Sequence, residues 1–129
     1  MLRGLLNLQQ RPPSRVPEIL SKIPTLGQLL KLKYVIDGET HEIEIIPRLS
    51  QQWNTFGVSG LGIEDYKVDI CKGKDDSESC FKLFKKFLQS GSKKFKNPTW
   101  RSVITALRDR DLTVIADELE NRALPNMID

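Results

Sequence analysis

After residue 44 the apolar residues of this chain recur at three- and four-residue intervals through five consecutive segments, and that spacing is the period of helices packed on one core. In the first segment Ile45, Leu49, Trp53 and Phe56 fall on one face of a helix opening near Pro47. The second, shorter, carries Ile63, Tyr66 and Ile70, with Glu64 and Asp65 at its electropositive start. The third runs from about Ser77 to Gln89: Cys80, Phe81, Phe84, Phe87 and Leu88 form the apolar stripe, and Gly91 is placed to end it. In the fourth, Asn97 or Thr99 can cap the free amides, Pro98 suits an early helical position, and Trp100, Val103, Ile104 and Leu107 mark the buried side. Asp111 can cap a fifth, where Leu112, Ile115, Ala116, Leu119 and Ala123 keep to one face until Pro125 stops it. Only a tight turn fits between the last two segments, so they must pack as neighbours. The expected core is Leu49, Trp53, Phe56, Ile63, Ile70, Phe84, Leu88, Trp100, Ile104, Leu107, Ile115 and Leu119, inside a helical bundle.

The first third reads differently. Pro12, Pro13, Pro17 and Pro24 each remove a backbone donor, so residues 1–24 read as a linker or tail, and 125–129 as a short C-terminal tail. Asp37-Gly38 between YVI and the alternating EIEI is a hairpin signal, although a lone two-stranded hairpin is barely stable in water. A short β-hairpin and an irregular loop insertion therefore both remain open for about 34–46.

Several kinds of chemistry find little support. The single histidine, His41, lies in a polar stretch, and no nucleophile elbow or glycine-rich phosphate loop is present. Two cysteines, Cys71 and Cys80, cannot supply a four-ligand zinc site and fall among core-spaced residues, which makes them buried thiols in a reducing, cytoplasmic setting. The sequence is thus expected to be no enzyme, to hold no metal or cofactor, to take no small-molecule substrate and to have no transmembrane segment. Trp53 and Trp100 read as core anchors; Phe95, between lysines in a loop, is expected to be exposed.

Taken in order, QQWNTFGVSGLGIEDYKVDI, ESCFKLFKKFL, PTWRSVITAL and LTVIADELE resemble a death domain over 25–124. The resemblance implies an all-α, antiparallel six-helix Greek-key bundle, in which these pieces are the first, second, fourth, fifth and sixth helices and a short third lies near Gly73 to Asp76. Against the family pattern, LKYVIDGETHEIEI is an insertion and Gly60 an extra residue. The implied function is a non-catalytic interaction module of a signalling or apoptosis adaptor or receptor, assembling with other death-fold domains or with itself.

The residues add where such contacts fall. Lys82, Lys85, Lys86, Lys93, Lys94 and Lys96 gather around one helix and the loop after it. Asp69, Asp75, Asp76 and Glu78 cluster near the second and third helical segments, and Asp117 and Glu118 lie on the last. Basic and acidic faces on one module permit head-to-tail association that need not close on itself. The alternative reading is nucleic-acid or anionic-lipid binding through Lys82–Lys96 with Phe95 as a stacking or inserting residue, against which a net charge of only +3 weighs.

Overall fold

Asp37 and Gly38 both sit at positive φ, 52° and 80°, the backbone of a two-residue primed turn. That turn joins β1 (Leu32–Ile36) to β2 (Glu39–Ile43) as an antiparallel pair, with Leu32 opposite Ile43, Tyr34 opposite His41 and Ile36 opposite Glu39. The computed structural model describes residues 16–128 of the chain. In it the hairpin is far from isolated: Leu32, Tyr34 and Ile43 are buried. Burial of side chains this size contributes about 1.5–3 kcal/mol each, enough to hold a ribbon that would be marginal alone. On the far edge of β1, Met127 bridges to Tyr34 and the Ile128 amide donates to the Lys33 carbonyl at 3.0 Å.

This sheet overturns the all-α reading of the six-helix Greek-key bundle, because the hairpin is part of the core and not a loop beside it, whereas the expected number of helices is roughly compatible with what forms. Nor does a short helix form near Gly73 to Asp76. There the Gly73 amide donates to Ser79 Oγ at 2.7 Å and the Lys74 amide to Glu78 Oε1 at 3.1 Å, so both donors are committed to the start of the next helix.

Seven helical runs surround the hairpin among the described residues. α1 is Val16–Leu20 and α2 is Leu26–Leu30, the latter opened by a reciprocal cap in which Gln28 N donates to Thr25 Oγ1 and Thr25 N to Gln28 Oε1. α3, over 45–60, changes pitch along its length: Ile45–Leu49 and Trp53–Thr55 are α-helical, Ser50–Gln52 between them is 3₁₀, and Phe56–Gly60 is a π turn closed by Leu61 N donating to the Phe56 carbonyl at 2.8 Å. The wide turn accommodates one residue more than an α turn would, and it ends at Gly60. α4 is Asp65–Ile70, α5 is Asp76–Ser90 and α6 is Trp100–Asp109. α7, over 113–126, joins Thr113–Asp117, a π segment Glu118–Ala123 and a 3₁₀ turn Leu124–Asn126. α5 packs on α2 and α3, while α7 packs on the hairpin and α6. None of these helices is long and apolar enough to cross a membrane.

Of the twelve expected core residues, ten are buried and Leu88 is half-buried against them, but Ile70 is 71% exposed. The error lies in the phase of α4. Ile63 sits in the extended approach to the helix and so cannot mark its face; Val68 turns inward, with Cys71 just past the end, which sends Tyr66 and Ile70 outward. Three boundary residues also differ from expectation. Thr99 caps α6, with Pro98 outside the helix. Asp111 makes the α6–α7 turn at φ 59° and caps nothing, and Pro125 lies within the last helical turn instead of stopping it. Residues 16–24 are more than a linker, since Ile19, Leu20 and Pro24 are buried and the Trp100 amide donates to the Lys22 carbonyl at 2.9 Å. The rest of the expected tail, 1–15, lies outside the described residues.

Candidate interaction surface

The lysine-bearing face begins with how α5 is anchored. Asp75 caps it by accepting from the Glu78 amide at 2.8 Å, and Gly91 ends it, donating to the Phe87 carbonyl at 2.7 Å. Between those ends Ser79, Cys80, Leu83, Phe84 and Phe87 turn inward, so the helical period sends Lys82 and Lys85 to solvent and Lys86 to the edge of the core. Lys82 pairs with Glu78 at 3.4 Å, whereas Lys85, Lys86 and Lys96 have no carboxylate within ion-pair distance among the described residues. Lys86 joins Lys67, Lys93 and Glu64 around a cleft of about 280 Å³ beneath Gly91. Glu64 is shared there between Lys67 at 3.5 Å and Lys93 at 3.9 Å, and Lys93 is largely in water, so neither pair contributes much stability.

The loop after α5 divides the remaining cluster. Lys94 is a structural residue: its Nζ is 2.6 Å from Asp109 Oδ2, donates to the Gly60 carbonyl at 3.3 Å, and stands over the Phe95 ring. Phe95 is half-buried, edge-on to Phe87, which corrects its expected exposure. Ser92 Oγ ties the loop to the residue just past α3 by donating to the Leu61 carbonyl at 2.6 Å.

Most of the acidic candidates are also spoken for. Asp75 is a cap. Glu78 accepts from the Lys74 amide, and that hydrogen bond, with Lys82 beside it, holds its carboxyl below the usual range. Asp117 pairs with Arg108 at 2.9 Å, and Glu118 accepts from Tyr34 Oη at 2.9 Å while pairing with Arg48 at 3.4 Å. Asp69 and Asp76 are exposed and unpaired among the described residues. Sequence reading missed Arg108, which grips Asp117 and Glu120 together, and Lys67 at the cleft; cross-element partners leave no trace in local spacing.

Other reactive groups are quiet in this arrangement. His41 stacks on Tyr34 at 5.2 Å, and no group of three or more His, Cys, Asp or Glu gathers to hold a metal ion among the described residues. Cys71 and Cys80 are free and buried. Burial pushes the Cys80 thiol up to about 12, so it stays protonated at neutral pH. At pH 8 the native protein should therefore resist labelling by a thiol-reactive disulfide reagent at Cys80 and react fully once unfolded in urea; equal rates in both states would contradict the burial. The stability carried by the protonated thiol is complete below the ordinary value of 9.0 and is lost as pH rises through about 12.

Compared with protein-family models, with curated proteins and with solved structures, the chain matches none.

Proposed function

We propose that this chain is a non-catalytic protein–protein interaction module of a signalling or apoptosis adaptor or receptor, and that it associates with copies of itself or with death-fold domains through oppositely charged surfaces. The observation carrying this reading is that Lys85 and Lys86 stay unpaired towards one end of α5 while Asp76 stays unpaired at the other, with Asp69 on α4. At 1.5 Å per residue the two ends of that run are roughly 14 Å apart. This exceeds the screening length of about 8 Å at physiological salt, so they act as separate patches instead of neutralising each other. A module with two such patches can meet a second molecule head to tail. The free thiols go with a reducing, cytoplasmic setting.

Asp76 and Glu78 in the first turn favour α5 through its macrodipole, by about 0.3–1 kcal/mol each, whereas Lys85 and Lys86 stand before its last turn, beyond the reach of that effect. Replacing Lys85 and Lys86 with Glu should thus leave circular dichroism close to wild type. Under this reading it should weaken self-association, or binding to a death-fold partner, by roughly tenfold or more, with wild-type association falling as salt rises. Light scattering across concentration and ionic strength checks this. A wild-type chain that stays monomeric and binds no death-fold domain would end the proposal, as would unchanged association of the double variant.

A further inference from the structure

A second surface, separate from α5, combines an exposed aliphatic side chain with cations. α1 turns into the chain before α2 with Leu20 and Pro24 buried, so the backbone between them is held against α6, and Ile23 is left 55% exposed. Facing it across an open cleft of about 540 Å³ are Lys96 and Arg101, both exposed, with half-buried Phe95 and the Asp109-bound Lys94. Exposed Lys22 adjoins Ile23 in the chain. Among the described residues no carboxylate lines this cleft, unlike the α5 cleft, which holds Glu64.

An apolar side chain rimmed by cations whose alkyl stems can lie along apolar matter, with no acid beside them, matches an amphiphile with a negative head. We propose that the surface formed by Ile23, Lys96 and Arg101 docks on an anionic phospholipid bilayer. Headgroup phosphates and carboxylates meet the two cations, and Ile23 enters the boundary between headgroups and acyl chains. A bilayer offers both halves over a continuous plane, whereas an acidic protein segment would have to bring its own apolar residue into register with Ile23. This surface goes beyond the charge-pairing role of α5 and does not depend on it.

The test is co-sedimentation of the full chain with vesicles of phosphatidylcholine and phosphatidylserine at 7:3, against vesicles of phosphatidylcholine alone. Binding is expected only to the first, falling with salt over the range in which surface charges become screened. Ile23→Glu and the pair Lys96→Glu with Arg101→Glu should each reduce partitioning at least tenfold with unchanged circular dichroism; Ile23→Ser serves where the Glu variant fails to fold. Lys85→Glu with Lys86→Glu should leave vesicle binding near wild type while acting on self-association, so each proposal can fail alone. No sedimentation with the anionic vesicles, retention by the Ile23 variants, or equal loss in the α5 variant would overturn the assignment. Binding to a synthetic acidic peptide in place of vesicles would overturn it in favour of a protein ligand.

Discussion

Trp100→Ala is expected to destabilise the protein by about 3–5 kcal/mol, the range for removing a large aromatic from a core that cannot close over the gap. Three features place this site at the severe end. The side chain is 1% exposed and is the largest of the fully buried residues. It stands at the first position of α6, directly after the Thr99 cap, so loosening it also loosens the start of the helix. Its amide donates to the Lys22 carbonyl at 2.9 Å, which ties α6 to the segment following α1. Since small domains are stable by only about 5–15 kcal/mol, the variant should unfold at much lower urea, with a melting temperature depressed by on the order of 15–30 °C. A midpoint within a few degrees of wild type would show that the core repacks around the missing indole.

Five of the seven described helical runs were legible from spacing alone, and the five-residue α1 and α2 were not. Stripes such as Ile45, Leu49, Trp53, Phe56 and Trp100, Val103, Ile104, Leu107 repeat often enough to fix both type and inward face, and all eight side chains are buried. Short elements defeat the same method. α4 has six residues and one inward position, Val68, so a neighbouring apolar residue outside the helix was enough to misphase it and put Ile70 inside. The hairpin announced its turn in Asp37-Gly38, but its stability comes from α7 and from Met127, ninety or so residues away, and no local pattern encodes a packing partner. The candidate surface divides along the same line. Exposure of Lys82 and Lys85 follows from helix period, whereas the commitment of Lys94 to Asp109 and of Asp117 to Arg108 depends on how distant elements meet. Charge in sequence therefore overcounted the charge left open for a partner.

Gly91→Ala, a change of one methyl group, should cost about 2–4 kcal/mol. The residue ends α5 at φ 64° and ψ −153°, a region that residues with a Cβ enter only under strain of about 1–3 kcal/mol. A Cβ there would lie 2.6 Å from the Lys96 carbonyl oxygen and 2.7 Å from that of Phe95, and both are backbone atoms that cannot swing aside as a side chain would. Relief must come from moving the 91–99 loop, a shift that in a packed structure adds about 1–3 kcal/mol and overlaps with the first cost. That loop holds Phe95 against Phe87 and Lys94 against Asp109, so the variant should lose both anchors together. Urea unfolding measures the total, and amide exchange of the 91–99 segment tells where it falls. A lower midpoint is expected, with exchange speeded most in the loop and also at core amides that open by global unfolding; a variant as stable as wild type would mean the turn can adopt another backbone at no cost. Gly27→Ala is the control: inside α2 a Cβ there would meet nothing nearer than Thr25 Oγ1 at 3.8 Å, so the same added methyl group should cost nothing and even favour the helix.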